Sequence, residues 1–315
     1  MSALIDSFIF SLSVTSPIFL VLLLGIYLKY INFINDAFID VSSKLVFNIS
    51  LPLLLFFSIL KTPLEQATNL SLIVYAACAT VVVYILLEWW AKRLEPSEDR
   101  GVFVQGSFRA NMGFIGLAYC VNAYGEAGLL AVSLYLGLIT VLFNILSVIT
   151  LNRSMHKEQN VAKILKGIAK NPLIIGIVAG LIVSSLHLPV PDFAAKTGQY
   201  FANLALPLAL LCTGGSLNFQ ELKSNPHKTI YASVAKLFIV SLFIATGGVL
   251  MGFRGIELGV LFLMSSAPTA AASYVMVKAM NGNDKLAANI IALTTLGSIV
   301  SVSLGIMILR GMQWM

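Results

Sequence analysis

Asn-Ile-Ser-Leu-Pro at 48–52 returns as Asn-Leu-Ala-Leu-Pro at 203–207. Sliding the chain along itself by 155 positions also brings Pro17 onto Pro172, Gly25 onto Gly180 and Phe38 onto Phe193, with eight identities over 39 ungapped positions. In a leucine-rich chain that count alone is weak. The repeated Asn-x-x-Leu-Pro is the sharper signal. Further along, an offset of 157 sets Gly125 on Gly282 and Asn111 against Pro268. The chain reads as two copies of one unit.

Composition says what solvent the unit is built for. Apolar residues make up 58% of the 315, charged residues only 11%, and the mean hydropathy is +0.90. A water-soluble domain carries about a quarter charged residues, so this chain needs lipid around it. Charge-poor stretches place ten spans at 8–29, 44–60, 69–90, 101–124, 127–150, 171–187, 198–217, 229–252, 257–280 and 287–310. That is five spans per copy. An odd number forces the second copy to enter from the opposite face, so the expected fold is all-α, with ten transmembrane helices as two inverted five-helix repeats. Such repeats are common in secondary transporters, with the site near the midplane where they meet.

Basic residues orient the bundle. With ten spans, Lys29, Lys44, Lys92, Arg93, Arg100, Arg153, Lys157, Lys163, Lys166, Lys170, Lys223, Lys228, Lys278 and Lys285 fall on the face opposite the termini. Only Lys61, Lys196, Arg254 and Arg310 share the face of the termini. The positive-inside rule puts the larger set in the cytoplasm and both termini outside. No Lys or Arg precedes the first apolar run, so it does not read as a cleaved signal peptide. The net charge of +6 follows from this bias, and no basic patch with interleaved aromatics points to nucleic acid. Cys78, Cys120 and Cys212 all lie in apolar spans without CxxC or metal-ligand spacing, so neither cofactor nor metal is implied.

Two spans carry breaks. The fourth contains Gln-Gly-Ser-Phe-Arg-Ala-Asn-Met-Gly-Phe-Ile-Gly (105–116). Arg109 stands nine residues beyond Arg100, or about 13 Å at 1.5 Å per residue, close to the middle of a core about 30 Å thick. A cation there must face protein or water. Asn111 is a good helix cap and Gly113 tolerates a backbone break. The ninth span contains Ser-Ser-Ala-Pro-Thr-Ala-Ala-Ala-Ser (265–273). Pro268 removes a backbone donor and favours a helix start. Two half-helices are therefore expected to begin near Met112 and near Thr269, with free N–H groups converging at the midplane. Together with Arg109 they point to an anion site formed by Arg109, Asn111, Met112, Gly113, Pro268, Thr269 and Ala270.

Other polar groups leave alternatives open. Asn48 and Asn203 either line the path of the substrate or bond across helices. Lys236 lies about 10 Å inside its span and either snorkels or functions. Glu88, beside Trp89 and Trp90, reads as part of the interfacial belt. No carboxylate stands in the middle of a span, which argues against a carboxylate relay for protons or sodium. Sodium coupling through backbone carbonyls and Asn or Ser oxygens stays open. An intramembrane enzyme needs paired Asp, a Ser/His pair or HExxH inside spans. None is present, and the chain has three His.

The stretch 105–116, Tyr-Gly-Glu-Ala-Gly-Leu (124–129), Lys-Asn-Pro-Leu-Ile-Ile-Gly (170–176), Ala-Leu-Pro-Leu-Ala-Leu-Leu-Cys-Thr-Gly-Gly-Ser-Leu (205–217) and Ala-Pro-Thr-Ala-Ala-Ala-Ser-Tyr (267–274) resemble bacterial members of the auxin efflux carrier family. The resemblance runs over essentially the whole chain. It implies crossing of broken helices 4 and 9. It also implies a scaffold of helices 1–2 (8–60) and 6–7 (171–217), and a mobile unit of helices 3–5 (69–150) and 8–10 (229–310). A cytoplasmic loop spans 151–170. Members carry organic anions, from plant auxin to bacterial malate or malonate, and the wider fold includes bile-acid sodium symporters. The expectation is a homodimeric secondary transporter of a small organic anion in the bacterial inner membrane, in contact with membrane lipids and coupled to a proton, to sodium or to neither. The alternatives are a sodium-coupled symporter of amphipathic acids and a sensor without transport. The chain departs from the plant carriers in having Asn111 and Gly113, not proline, in the fourth span.

Overall fold

The computed structural model describes residues 2–60, 70–155, 170–217 and 226–315. Among them every regular element is helical; the β-type pairing is one isolated antiparallel bridge between Ala110 and Thr269. The helices are α1 (Ser2–Tyr30), α2 (Asp36–Leu60), α3 (Leu70–Ala91), α4 (Glu98–Phe108), α5 (Met112–Ser154), α6 (Pro172–Ser185), α7 (Asp192–Gly215), α8 (Pro226–Leu250), α9 (Gly255–Ser266), α10 (Ala272–Ala279) and α11 (Asp284–Gly311). Six of these, α1, α2, α3, α5, α8 and α11, are long and apolar enough to cross a membrane. Their outer faces expose Leu20, Val74, Ile85, Leu242, Val300 and Ile308. Water would not tolerate that much contiguous hydrocarbon surface, whereas lipid does. The chain is a multi-pass membrane protein.

Helix boundaries follow local chemistry. Asn35 caps α2, its Oδ1 accepting from the Phe38 N–H at 2.9 Å, so α2 starts at Asp36, ahead of the apolar run expected from residue 44. Asn171 caps α6 in the same way, through Leu173 N at 2.9 Å, and Pro172 occupies the first helical position, where no amide is needed. α7 begins at Asp192, before the expected 198. The 43-residue α5 is two helices meeting at Gly125, whose φ of 59° and ψ of −137° are open to glycine and costly for other residues. This is the junction expected between the spans ending at 124 and starting at 127. Of the expected loop 151–170, residues 156–169 lie outside the described residues, as do Lys61 and Lys223.

Close backbone approach ties α1 to α7 and α2 to α6. A Cβ on Gly25 would stand 2.2 Å from the Leu211 carbonyl oxygen, and one on Gly214 2.0 Å from that of Leu22. On the other pair, a Cβ on Gly180 would lie 3.2 Å from the Phe56 carbonyl oxygen, and one on Gly176 2.6 Å from that of Pro52. Small residues are what allow membrane helices to pack at such range. The remaining helices bury a continuous apolar core, in which Phe108 packs edge-on against Tyr84 and Phe143. Ion pairs lace one end: Asp99 of α4 binds Lys228 of α8 and accepts from Asn283 Nδ2, and Glu88 binds Arg153 and the Thr150 hydroxyl.

Candidate functional site

Two helices stop inside the bundle and their loose ends hold each other. α4 ends at Phe108, and Arg109 (φ −77°, ψ 101°) is extended. α9 ends at Ser266, and Ala267 (φ −56°, ψ 142°) is extended as well. Proline explains the second break, since it disfavours helical geometry in the residue before it. The first has no proline; there the antiparallel segment supplies the hydrogen bonds a helix would have made. Asn111 N–H donates to the Pro268 carbonyl at 2.7 Å, and Ala270 N–H to the Arg109 carbonyl at 3.0 Å. Thr269 is locked between helices, its hydroxyl donating to the Gly106 carbonyl at 2.6 Å and its N–H to the Thr294 hydroxyl at 3.1 Å.

The chain then becomes helical again, at Met112 on one side and at Ala272 on the other. The first restart is where the sequence suggests. The second comes three residues later than the expected Thr269, because Pro268 and Ala270 are committed to the pairing with Asn111 and Arg109 and Thr269 bonds Gly106 and Thr294. Among the described residues, the N–H groups of Met112, Gly113 and Phe114, and of Ala271 and Ala272, have no backbone or side-chain acceptor. Asn111 stands at the capping position of the first restart, yet its side chain makes no capping bond.

These ends face a cavity of about 120 Å³ lined by Arg109, Asn111, Met112, Gly113, Ala270 and Ala271, and bordered by Phe47 and Leu51 of α2, Thr140 and Phe143 of α5 and Leu173 of α6. Arg109 is 7% exposed. Its guanidinium donates to the Asn144 Oδ1 at 2.6 Å and touches the Met276 sulfur, which Gln105 Nε2 also approaches at 3.6 Å. Among the described residues no carboxylate pairs with it. A buried cation whose neighbours are an amide and a thioether is electrostatically unfinished, since no counter-charge offsets its removal from water. Among the same residues no group of three His, Cys, Asp or Glu side chains is placed to hold a metal ion.

Of the nine residues singled out from sequence, five line this cavity: Arg109, Asn111, Met112, Gly113 and Ala270. Pro268 and Thr269 belong to the crossing that shapes it. Asn48 and Asn203 are elsewhere. Both are exposed; Asn48 Nδ2 bonds the Lys44 carbonyl one turn back, and Asn203 Oδ1 accepts from Gln199. Sequence reasoning passed over Asn144, although an amide alone within an apolar span was the available signal, and Met276, which carries none. A separate groove of about 520 Å³ between α3 and α8, lined by Leu86, Trp89, Trp90, Tyr231, Ile239 and Phe243 among others, has no charged side chain and suits acyl chains.

Comparison with known proteins agrees with the membrane reading. Residues 11–306 match the family described as membrane transport protein. The chain is 25% identical to an uncharacterized transporter of Methanothermobacter thermautotrophicus, over 91% of this chain and 94% of the relative. It is 26% identical to an uncharacterized transporter of Methanocaldococcus jannaschii, over 91% and 95%. A Rhizobium meliloti protein, named provisionally as a malonate transporter, is 26% identical over 81% of this chain and 82% of its own.

Proposed function

We propose that this chain, which belongs to the membrane transport protein family, carries a small organic anion across the bacterial inner membrane by elevator-type alternating access. The family and these relatives are transporters, not enzymes. The observation that carries the anion is Arg109: a buried guanidinium with no carboxylate partner among the described residues, beside a cavity lined by helix N–H groups that are unpaired among them. Helix N-termini and fixed cations both favour negative charge, and removal from water strengthens them. The modest cavity favours a small acid over a bulky amphipath. The name of the Rhizobium meliloti relative supports a short dicarboxylate such as malonate.

The mechanism follows from ten spans in two inverted repeats, with α4 running into the first part of α5 as the fourth and α9 with α10 as the ninth. Packing supports this reading. The 155-residue offset maps Gly25 to Gly180 and Phe56 to Leu211; Gly25 packs on Leu211 and Gly180 on Phe56. On this reading α1, α2, α6 and α7 (8–60 and 171–217) are the scaffold. Spans 69–150 and 229–310 form the moving unit, and the cavity opens at the seam between them. Loop cations put both termini in the periplasm. The family resemblance implies a homodimer through Leu53–Leu60 and Leu208–Gly215; within one copy Ala209, Leu210, Cys212, Thr213, Gly214 and Gly215 are already buried, so the second stretch offers a partner little surface.

The test is a thermal-shift panel of mono- and dicarboxylates on purified protein, followed by counterflow into liposomes with and without sodium. Stabilisation and exchange by small carboxylates are expected. Response to cationic or neutral solutes alone would refute the reading.

A further inference from the structure

The crossing has a second set of ends. Where α4 and α9 stop, the carbonyls of Phe108 and Ser265 receive no backbone N–H, and these ends carry partial negative charge. Lys236 reaches both. Its ammonium donates to the Ser265 carbonyl at 2.8 Å and lies 3.5 Å from that of Phe108, one residue from the end of α9 and at the end of α4. The side chain is fully buried, and no carboxylate among the described residues pairs with it. It projects from a π-helical turn, Ala235–Val240, a local widening often found where a helix places a functional group. Snorkelling is therefore not its role. Backbone carbonyls freed where membrane helices break are groups that elsewhere bind monovalent cations.

We propose that the Lys236 ammonium is a tethered cation occupying a carbonyl site at the crossing, and that without it the same carbonyls take a free monovalent cation. With Lys236 on the negative ends and substrate on the positive ends, both poles of each broken helix are neutralised. This rests on the transporter reading for one consequence only: anion binding by the natural protein needs no sodium at these carbonyls.

The experiment is thermal unfolding of purified protein without substrate, in choline, sodium, potassium, ammonium or methylammonium chloride at equal concentration. The natural chain should unfold at one temperature in all five. Lys236→Ala should lose about 5 °C or more in choline and recover part of it in ammonium, methylammonium or sodium. Lys236→Met, which refills the volume without charge, should lose stability and recover in none. Equal unfolding of Lys236→Ala in all salts would overturn the proposal, as would natural stability in Lys236→Met. If Lys236→Ala is not monodisperse in choline, purification in methylammonium is the readout; recovery there supports the proposal and recovery in neither salt overturns it. Because no organic anion is present, failure here leaves the Arg109 site standing, and failure of that site leaves this result unaffected.

Discussion

Replacing Arg109 with Gln removes the charge while keeping a side chain able to donate to Asn144. In the free protein the change takes away a buried cation with no carboxylate partner among the described residues, so thermal stability should hold or rise. In the complex it removes a charge-assisted hydrogen bond of about 1.5–3 kcal/mol, which corresponds to roughly 10–150-fold in affinity. The two signs together discriminate: a structural arginine would lose stability and leave affinity alone. Binding is measured by calorimetry or scintillation proximity with the best carboxylate from the thermal-shift panel, on variant protein first shown to be monodisperse. Natural affinity in well-folded Arg109→Gln would refute the role of Arg109 in binding and leave the helix ends as the main anion-binding elements. A fall of several degrees in unfolding temperature would refute the claim that the guanidinium is electrostatically unfinished.

Pro268→Ala should act by another route. With no proline holding Ala267 extended, α9 can continue, withdrawing the carbonyl that accepts from Asn111 at 2.7 Å; binding should fall while Arg109 is intact, and restored binding affinity would show the crossing does not need proline. Gly214→Ala should cost about 1–3 kcal/mol by overpacking, since its Cβ would meet the Leu22 backbone at 2.0 Å, whereas Gly311→Ala, with open space around it, should be neutral in the same melt. A periplasm-active reporter fused after Met315 should be active and a cytoplasm-active one silent; the reverse would overturn the orientation.

Much of this was legible in one dimension. Solvent preference follows from composition, because lipid selects apolar side chains wherever they sit. Pro268 and the Gly125 junction are local, since φ is a property of one residue. Arg109 was readable because a cation in an apolar span has few destinations. Other features depended on partners distant in sequence. The restart at Ala272, and not at Thr269, follows from hydrogen bonds to Arg109 and Asn111, which no helix propensity encodes. The same holds for Thr269, turned to Gly106, and for Asn48 and Asn203, whose repeated motif marks the fold and whose side chains bond within their own helices. Lys236 is the sharpest case. Its position in the span left snorkelling and function equally open, and only the convergence of two helix ends supplied the carbonyls that hold it. Sequence by itself determined the solvent, which follows from composition, and marked the breaks, which show in local residues; tertiary structure alone decided which broken ends meet and what charge each receives, since that depends on packing between residues distant in sequence.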